Sequence, residues 1–66
     1  MVTKKFLRKV ASERTVLTPN YMYNARFGTD AYNCGYIAVY RLPYNETKWK
    51  LIAKFTFGRG WELYNN

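Results

Sequence analysis

Eight side chains between residues 26 and 64 share even positions and fall into two kinds. Tyr32, Tyr36, Tyr40 and Tyr64 are aromatic, and Arg26, Lys48, Lys50 and Lys54 are cationic. Rings and cations gathered on one surface suit single-stranded nucleic acid, because bases stack on the rings and cations track the phosphates. Stacking is worth roughly 1–3 kcal/mol per base, and each phosphate contact adds a salt-dependent term. The same residues also stabilise a sheet with no ligand, through cross-strand tyrosine–lysine packing. Two more basic features accompany them. Lys4, Lys5, Arg8 and Lys9 form a cluster near the start of the chain, and Arg59 sits between Gly58 and Gly60. On a helix the first makes a cationic stripe. On a hairpin tip the second can reach a groove or a phosphate.

Other chemistries lack their residues. The chain has no histidine, which removes the commonest general base and metal ligand. Cys34 is the only cysteine, and the acids are Glu13, Asp30, Glu46 and Glu62, scattered along the sequence. That set makes neither a cysteine–histidine nucleophile nor a metal site. No phosphate-binding loop or dinucleotide fingerprint is present. The sequence therefore predicts a non-enzymatic protein with no cofactor and no metal.

Charge points the same way. Eleven Lys and Arg face four acids, for a net charge of +7. Such a balance favours nucleic acid, an acidic protein surface or an anionic membrane as partner. Membrane-surface binding is disfavoured, because the apolar side of the N-terminal segment is short and needed for the core, and no stretch approaches the roughly 20 apolar residues of a span. The single cysteine and the lack of a secretory signal predict a cytoplasmic setting.

The surface described above needs elements to position it. From Tyr21 onward the large apolar residues sit mostly at odd positions: Tyr21, Tyr23, Ala25, Phe27, Ile37, Val39, Trp49, Leu51, Ala53, Phe55, Phe57, Trp61 and Leu63. Period-two alternation marks strands with one buried face, so the odd residues predict the core and the even ones the outer surface. Strands are predicted at 21–27, 31–42, 48–57 and 61–64, joined by turns at 28–30, 43–47 and 58–60. These loop lengths set Tyr36 opposite Lys54, Tyr40 opposite Lys50, and Tyr32 opposite Arg26. Asn33-Cys34-Gly35 is the expected place for a bulge, because asparagine suits a core position poorly.

Residues 3–14 read as a helix. Phe6, Leu7, Val10 and Ala11 recur on one side, the basic cluster lies on the other, and Thr3 is placed to cap it. Lys4 and Lys5 at the positive end of the helix dipole oppose this reading, and an edge strand over 5–10 competes with it. Val16 and Leu17 are expected to add to the core, and residues 65–66 to form a loose tail. With only 66 residues, the chain predicts one domain, 1–66. The predicted fold is α+β, a short N-terminal helix packed on a four-stranded antiparallel β-meander. A small five-stranded β-barrel, with the N-terminal segment as fifth strand, is the alternative.

No stretch carries a family-specific motif, and Lys54-Phe55-Thr56-Phe57-Gly58 resembles the ribonucleoprotein signature only superficially. The functional expectation is a small basic protein binding RNA or DNA, or a complex containing it, through the Tyr/Lys face. The alternative is a small inhibitor or modulator, of the kind bacteriophages and mobile elements encode, docking on a larger host protein. Met22, Ala38, Leu42 and Ile52 on the even face also suit a homodimer interface.

Overall fold

A computed structural model of the chain describes residues 2–64; the tail at 65–66 lies outside the described residues. The elements are one helix, α1 (Lys4–Glu13), and five strands: β1 (Thr15–Leu17), β2 (Tyr21–Thr29), β3 (Gly35–Pro43), β4 (Lys50–Thr56) and β5 (Gly60–Leu63). None of the described helical residues forms a helix long and apolar enough to cross a membrane.

The helix forms as expected, and it starts where Thr3 caps it. The Phe6 N–H donates to Thr3 Oγ1 at 3.1 Å, satisfying one of the free N–H groups of the first turn. At the other end Arg14 takes a left-handed φ of 71°, and its N–H donates to the Val10 carbonyl at 2.7 Å. That residue turns the chain directly into β1. Leu7 and Val10 are fully buried. Burying such side chains gives about 1.5–3 kcal/mol each, against roughly 0.3–1 kcal/mol for a charge at the wrong end of the dipole. Burial decides, and residues 5–10 are not a strand.

The sheet is a meander in the order β1-β2-β3-β4-β5, with every neighbouring pair antiparallel. It has five strands rather than four, and it stays open with β1 and β5 at its edges, so the barrel alternative is not the fold. The added strand is β1. Val16 pairs with Tyr23 and is buried, whereas Leu17 is 65% exposed and contributes little to the core.

The hairpins turn at other residues than the sequence suggests. The first loop is 30–34, not 28–30. Asp30 builds it: its Oδ1 accepts the N–H of Tyr32 at 2.8 Å and of Cys34 at 2.9 Å. Asn33, in the left-handed region at φ 62°, completes the turn. The expected bulge at 33–35 is therefore part of this loop. These hydrogen bonds, the Cys34 N–H foremost, lower the Asp30 pKa below its ordinary 3.8 by stabilising the carboxylate. The last turn places Gly58 at φ 93° and Gly60 at φ 86°, with Arg59 between them.

Most registers differ from expectation by even steps, which preserves the faces. Ile37 pairs with Phe55 rather than Ala53, and Phe55 with Trp61 rather than Leu63. One shift is odd. Val39 pairs with Ala53, but Tyr40 pairs with Leu51 and Arg41 with Lys50. Ile52 is the extra residue of a β-bulge. It and Ala53 are both buried in the core, and every β4 position before it changes face.

Helix α1 lies over β1, β2 and β3. The core is accordingly Leu7, Val10, Val16, Tyr23, Ala25, Val39, Ile52 and Ala53, with Phe6 set edge-on to Tyr23 at 4.8 Å. Toward β5 the inner face has less cover. Phe55, Phe57 and Trp61 pack on one another there, yet Phe57 is 62% and Leu63 50% exposed. These odd positions were expected in the core, but a helix of 10 residues extends only about 15 Å and cannot cover five strands.

Candidate nucleic-acid interface

The outer face of the sheet, opposite α1, holds two unlike halves. Near the 30–34 and 57–59 loops lie Gly28, Tyr36, Lys54 and Glu62. Tyr36 pairs with Gly28 across β2–β3 and rests on it so closely that a Cβ at Gly28 would lie 2.7 Å from the Tyr36 hydroxyl. Lys54 Nζ sits 4.6 Å from the centre of the same ring. Lys54 is paired in register with Ala38 and Glu62 rather than Tyr36, and reaches the ring diagonally. The ring is thus covered by the protein's own cation, and an acid stands beside that cation. This half of the face is closed on itself.

The other half is open. Asn24 and Tyr40 are direct partners across β2–β3, and Arg26 lies one outer-face step along β2. Trp49, just before β4, joins them. Together Asn24, Arg26, Tyr40 and Trp49 line a hollow of about 440 Å³. Trp49 was expected in the core. The bulge at Ile52 reverses the face of the residues before it, and Trp49 is 44% exposed. A bulge re-aims a side chain in this way by bending the strand and breaking its alternation.

Two tethers support the hollow. The Tyr44 hydroxyl donates to the Thr18 carbonyl at 2.7 Å, tying the loop that leads to Trp49 onto the β1–β2 turn. Asn24 is fixed through its amide: Nδ2 donates to the Arg14 carbonyl and to Thr15 Oγ1, each at 3.2 Å. A carbonyl only accepts, so the contact with Arg14 sets which way the amide points. Among the described residues, none of the side chains lining the hollow is acidic.

The remaining predicted residues are dispersed. Lys50 falls opposite Arg41, at an inner-face register position, because of the bulge. Lys48 is exposed in the loop before β4. Tyr32 is not on the sheet face. It projects from the 30–34 loop, 87% exposed, and so does not pair with Arg26. Tyr64 follows β5, exposed, its N–H donating to the Ile52 carbonyl at 2.9 Å. Arg59 is exposed at its tip, at the same end of the sheet as Tyr32. Lys4, Lys5, Arg8 and Lys9 are exposed on α1, which lies across the inner face. Arg8 borders a small groove with Ala11, Ile37, Phe55 and Trp61. The two basic surfaces are therefore on opposite sides of the sheet.

Of the predicted set, the open hollow contains Arg26 and Tyr40. Asn24 and Trp49 are additional. Asn24 sits at an even position and follows from alternation; for Trp49 the sequence offers one signal, Ile52, a β-branched aliphatic at an even position inside a strand whose apolar residues are otherwise odd.

Comparison with protein-family models, curated proteins and solved structures finds no match for this chain.

Proposed function

We propose that this protein is a small, non-enzymatic nucleic-acid-binding protein that uses the outer face of its sheet. The observation that carries the reading is the open hollow, where an arginine and two aromatic rings meet with no acidic side chain among the described lining residues, in a chain of net charge +7. Aromatic platforms joined to cations are how proteins hold strands with little sequence preference. Lys48, exposed in the loop leading to Trp49, extends the cationic track. Lys54 and Tyr36 contribute only after Lys54 leaves the ring it covers.

The test is a salt titration of binding to labelled single-stranded RNA, single-stranded DNA and duplex DNA. The reading requires a Kd near micromolar or tighter at about 150 mM salt, with log affinity falling linearly against log salt. Dissociation constants weaker than roughly 10⁻⁴ M for all three would refute it.

A second reading has its own observation. The inner face near β5 exposes Phe57 and Leu63 beside Phe55 and Trp61, and exposed apolar patches mark protein contacts. Under that reading the chain is a modulator docking on a larger protein, and oligonucleotide binding is negligible.

A further inference from the structure

We infer that the hollow between Asn24, Arg26, Tyr40 and Trp49 takes one unpaired nucleotide of a single strand. The inference rests on the nucleic-acid reading above and narrows it. Size agrees first: about 440 Å³ lies within the roughly 300–1,000 Å³ typical of small-molecule sites. The lining then supplies one group for each part of a nucleotide. Trp49 and Tyr40 offer ring faces to a base, and Arg26 offers a guanidinium to the phosphate.

Stacking decides between paired and unpaired bases, and Asn24 adds one polar contact. Both Nδ2 hydrogens are engaged, by the Arg14 carbonyl and Thr15 Oγ1, so the amide meets a ligand only through Oδ1, a pure acceptor. Nδ2 leans toward β1, which leaves Oδ1 as the arm for the hollow on the β3 side. Every nucleobase carries an N–H donor on its pairing edge that Oδ1 can accept. A base held in a duplex is stacked on its neighbours and cannot lie against Trp49 and Tyr40, so the hollow admits an unpaired base and refuses a paired one. Because all four bases carry such a donor, base preference is weak.

The experiment measures anisotropy of a labelled single strand of about twelve nucleotides, within the 4–16 nucleotide sites of comparable binders. The same sequence as a duplex serves as competitor, and the proteins are wild type, Trp49→Ala, Trp49→Phe and Arg26→Ala. Each variant's thermal midpoint is recorded alongside. Loss of one stacked base lowers affinity at least about fivefold in Trp49→Ala, and Trp49→Phe recovers most of it. Arg26→Ala reduces the salt slope by about one. The duplex competes at least about tenfold less well than the unlabelled single strand. An affinity for Trp49→Ala within about twofold of wild type, or equal competition by the duplex, overturns the inference, while continued wild-type binding leaves the broader reading standing. If Trp49→Ala fails to fold, the Arg26→Ala slope decides, and an unchanged slope overturns the inference. Absence of wild-type binding to any strand removes the broader reading and the inference together.

Discussion

Ile52→Ala and Leu51→Ala together test the bulge on which the hollow depends. Strict alternation places Leu51 in the core and Ile52 outside. The structure reverses them: Ile52 is 6% exposed within the core cluster, and Leu51 pairs with Tyr40 on the outer face. Truncating Ile52 removes buried carbons at about 0.8 kcal/mol each, and the residual cavity adds to this, giving about 2–4 kcal/mol within the range for such changes. Truncating Leu51, only partly buried on the outer face, costs less, about 1–2 kcal/mol. Total stability for a chain of 66 residues is roughly 3–10 kcal/mol, so Ile52→Ala approaches the limit of folding. At about 4–8 °C per kcal/mol for domains of this size, each further kcal/mol lost in Ile52→Ala lowers its midpoint by that much below the Leu51→Ala midpoint. Urea titration followed by tryptophan fluorescence, with a parallel thermal melt by circular dichroism, measures both. A cost for Leu51→Ala equal to or above that of Ile52→Ala refutes the reasoning. The bulge would then be absent, Trp49 would return to the inner face, and the hollow would not exist.

Three further outcomes are expected. Thr3→Ala removes the acceptor for the Phe6 N–H and lowers stability by about 1 kcal/mol, read from the urea midpoint. Gly28→Ala places a methyl group 2.8 Å from Tyr36 Cζ, so Tyr36 must lift from the sheet; its lost packing is partly offset by the roughly 0.5–1 kcal/mol alanine gains over glycine within a strand, a net fall of about 1 kcal/mol or less is expected, and a rise in stability would contradict the packing of that ring. Asp30→Ala tests the first loop through pH. The folded carboxyl pKa is lowered, chiefly by the Cys34 N–H, so the stabilisation is present above the unfolded value near 3.8 and is lost as pH falls through the lower folded value. The stability gap between wild type and variant should be constant from neutral pH to about 5 and shrink below it.

The sequence makes some of this legible through burial. Leu7 and Val10 at helical spacing, with Thr3 before them, mark α1 and its cap, because a helix that buries one side must repeat its apolar residues with its turn. Tyr23, Ala25, Ile37 and Val39 mark β2 and β3 by alternation, and even register shifts leave their faces unchanged. The first loop is obscured because 31–34 continues a plausible strand pattern, while what turns the chain is the Asp30 carboxylate on two N–H groups and one left-handed asparagine. β1 has only three residues, too short for a period to show. In the candidate site, Arg26 and Tyr40 follow from alternation. Trp49 does not, because one inserted residue reverses it.

That inserted residue also has an energetic reason, and the reason joins core to surface. The bulge forgoes about one ladder hydrogen bond, a net loss near 1 kcal/mol. In return Ile52 enters the core beside Ala53 while Leu51 leaves it for the outer face, an exchange of like side chains that nearly cancels, so the balance rests on Trp49. Regular pairing would instead leave Trp49 on the inner side near β4, beyond the strands that α1 covers. Phe57 and Leu63 show what happens to apolar residues poorly covered on that side: half or more of each is exposed. On the outer side Trp49 lies with Tyr40, Asn24 and Arg26 around one hollow. A change inside the core at Ile52 is therefore expected to alter binding as well as stability, whereas a change at Leu7, equally buried but on α1, is expected to lower stability and leave the affinity of the folded fraction unchanged. If both lowered that affinity to the same degree, the hollow would be responding to loss of fold in general and not to the bulge.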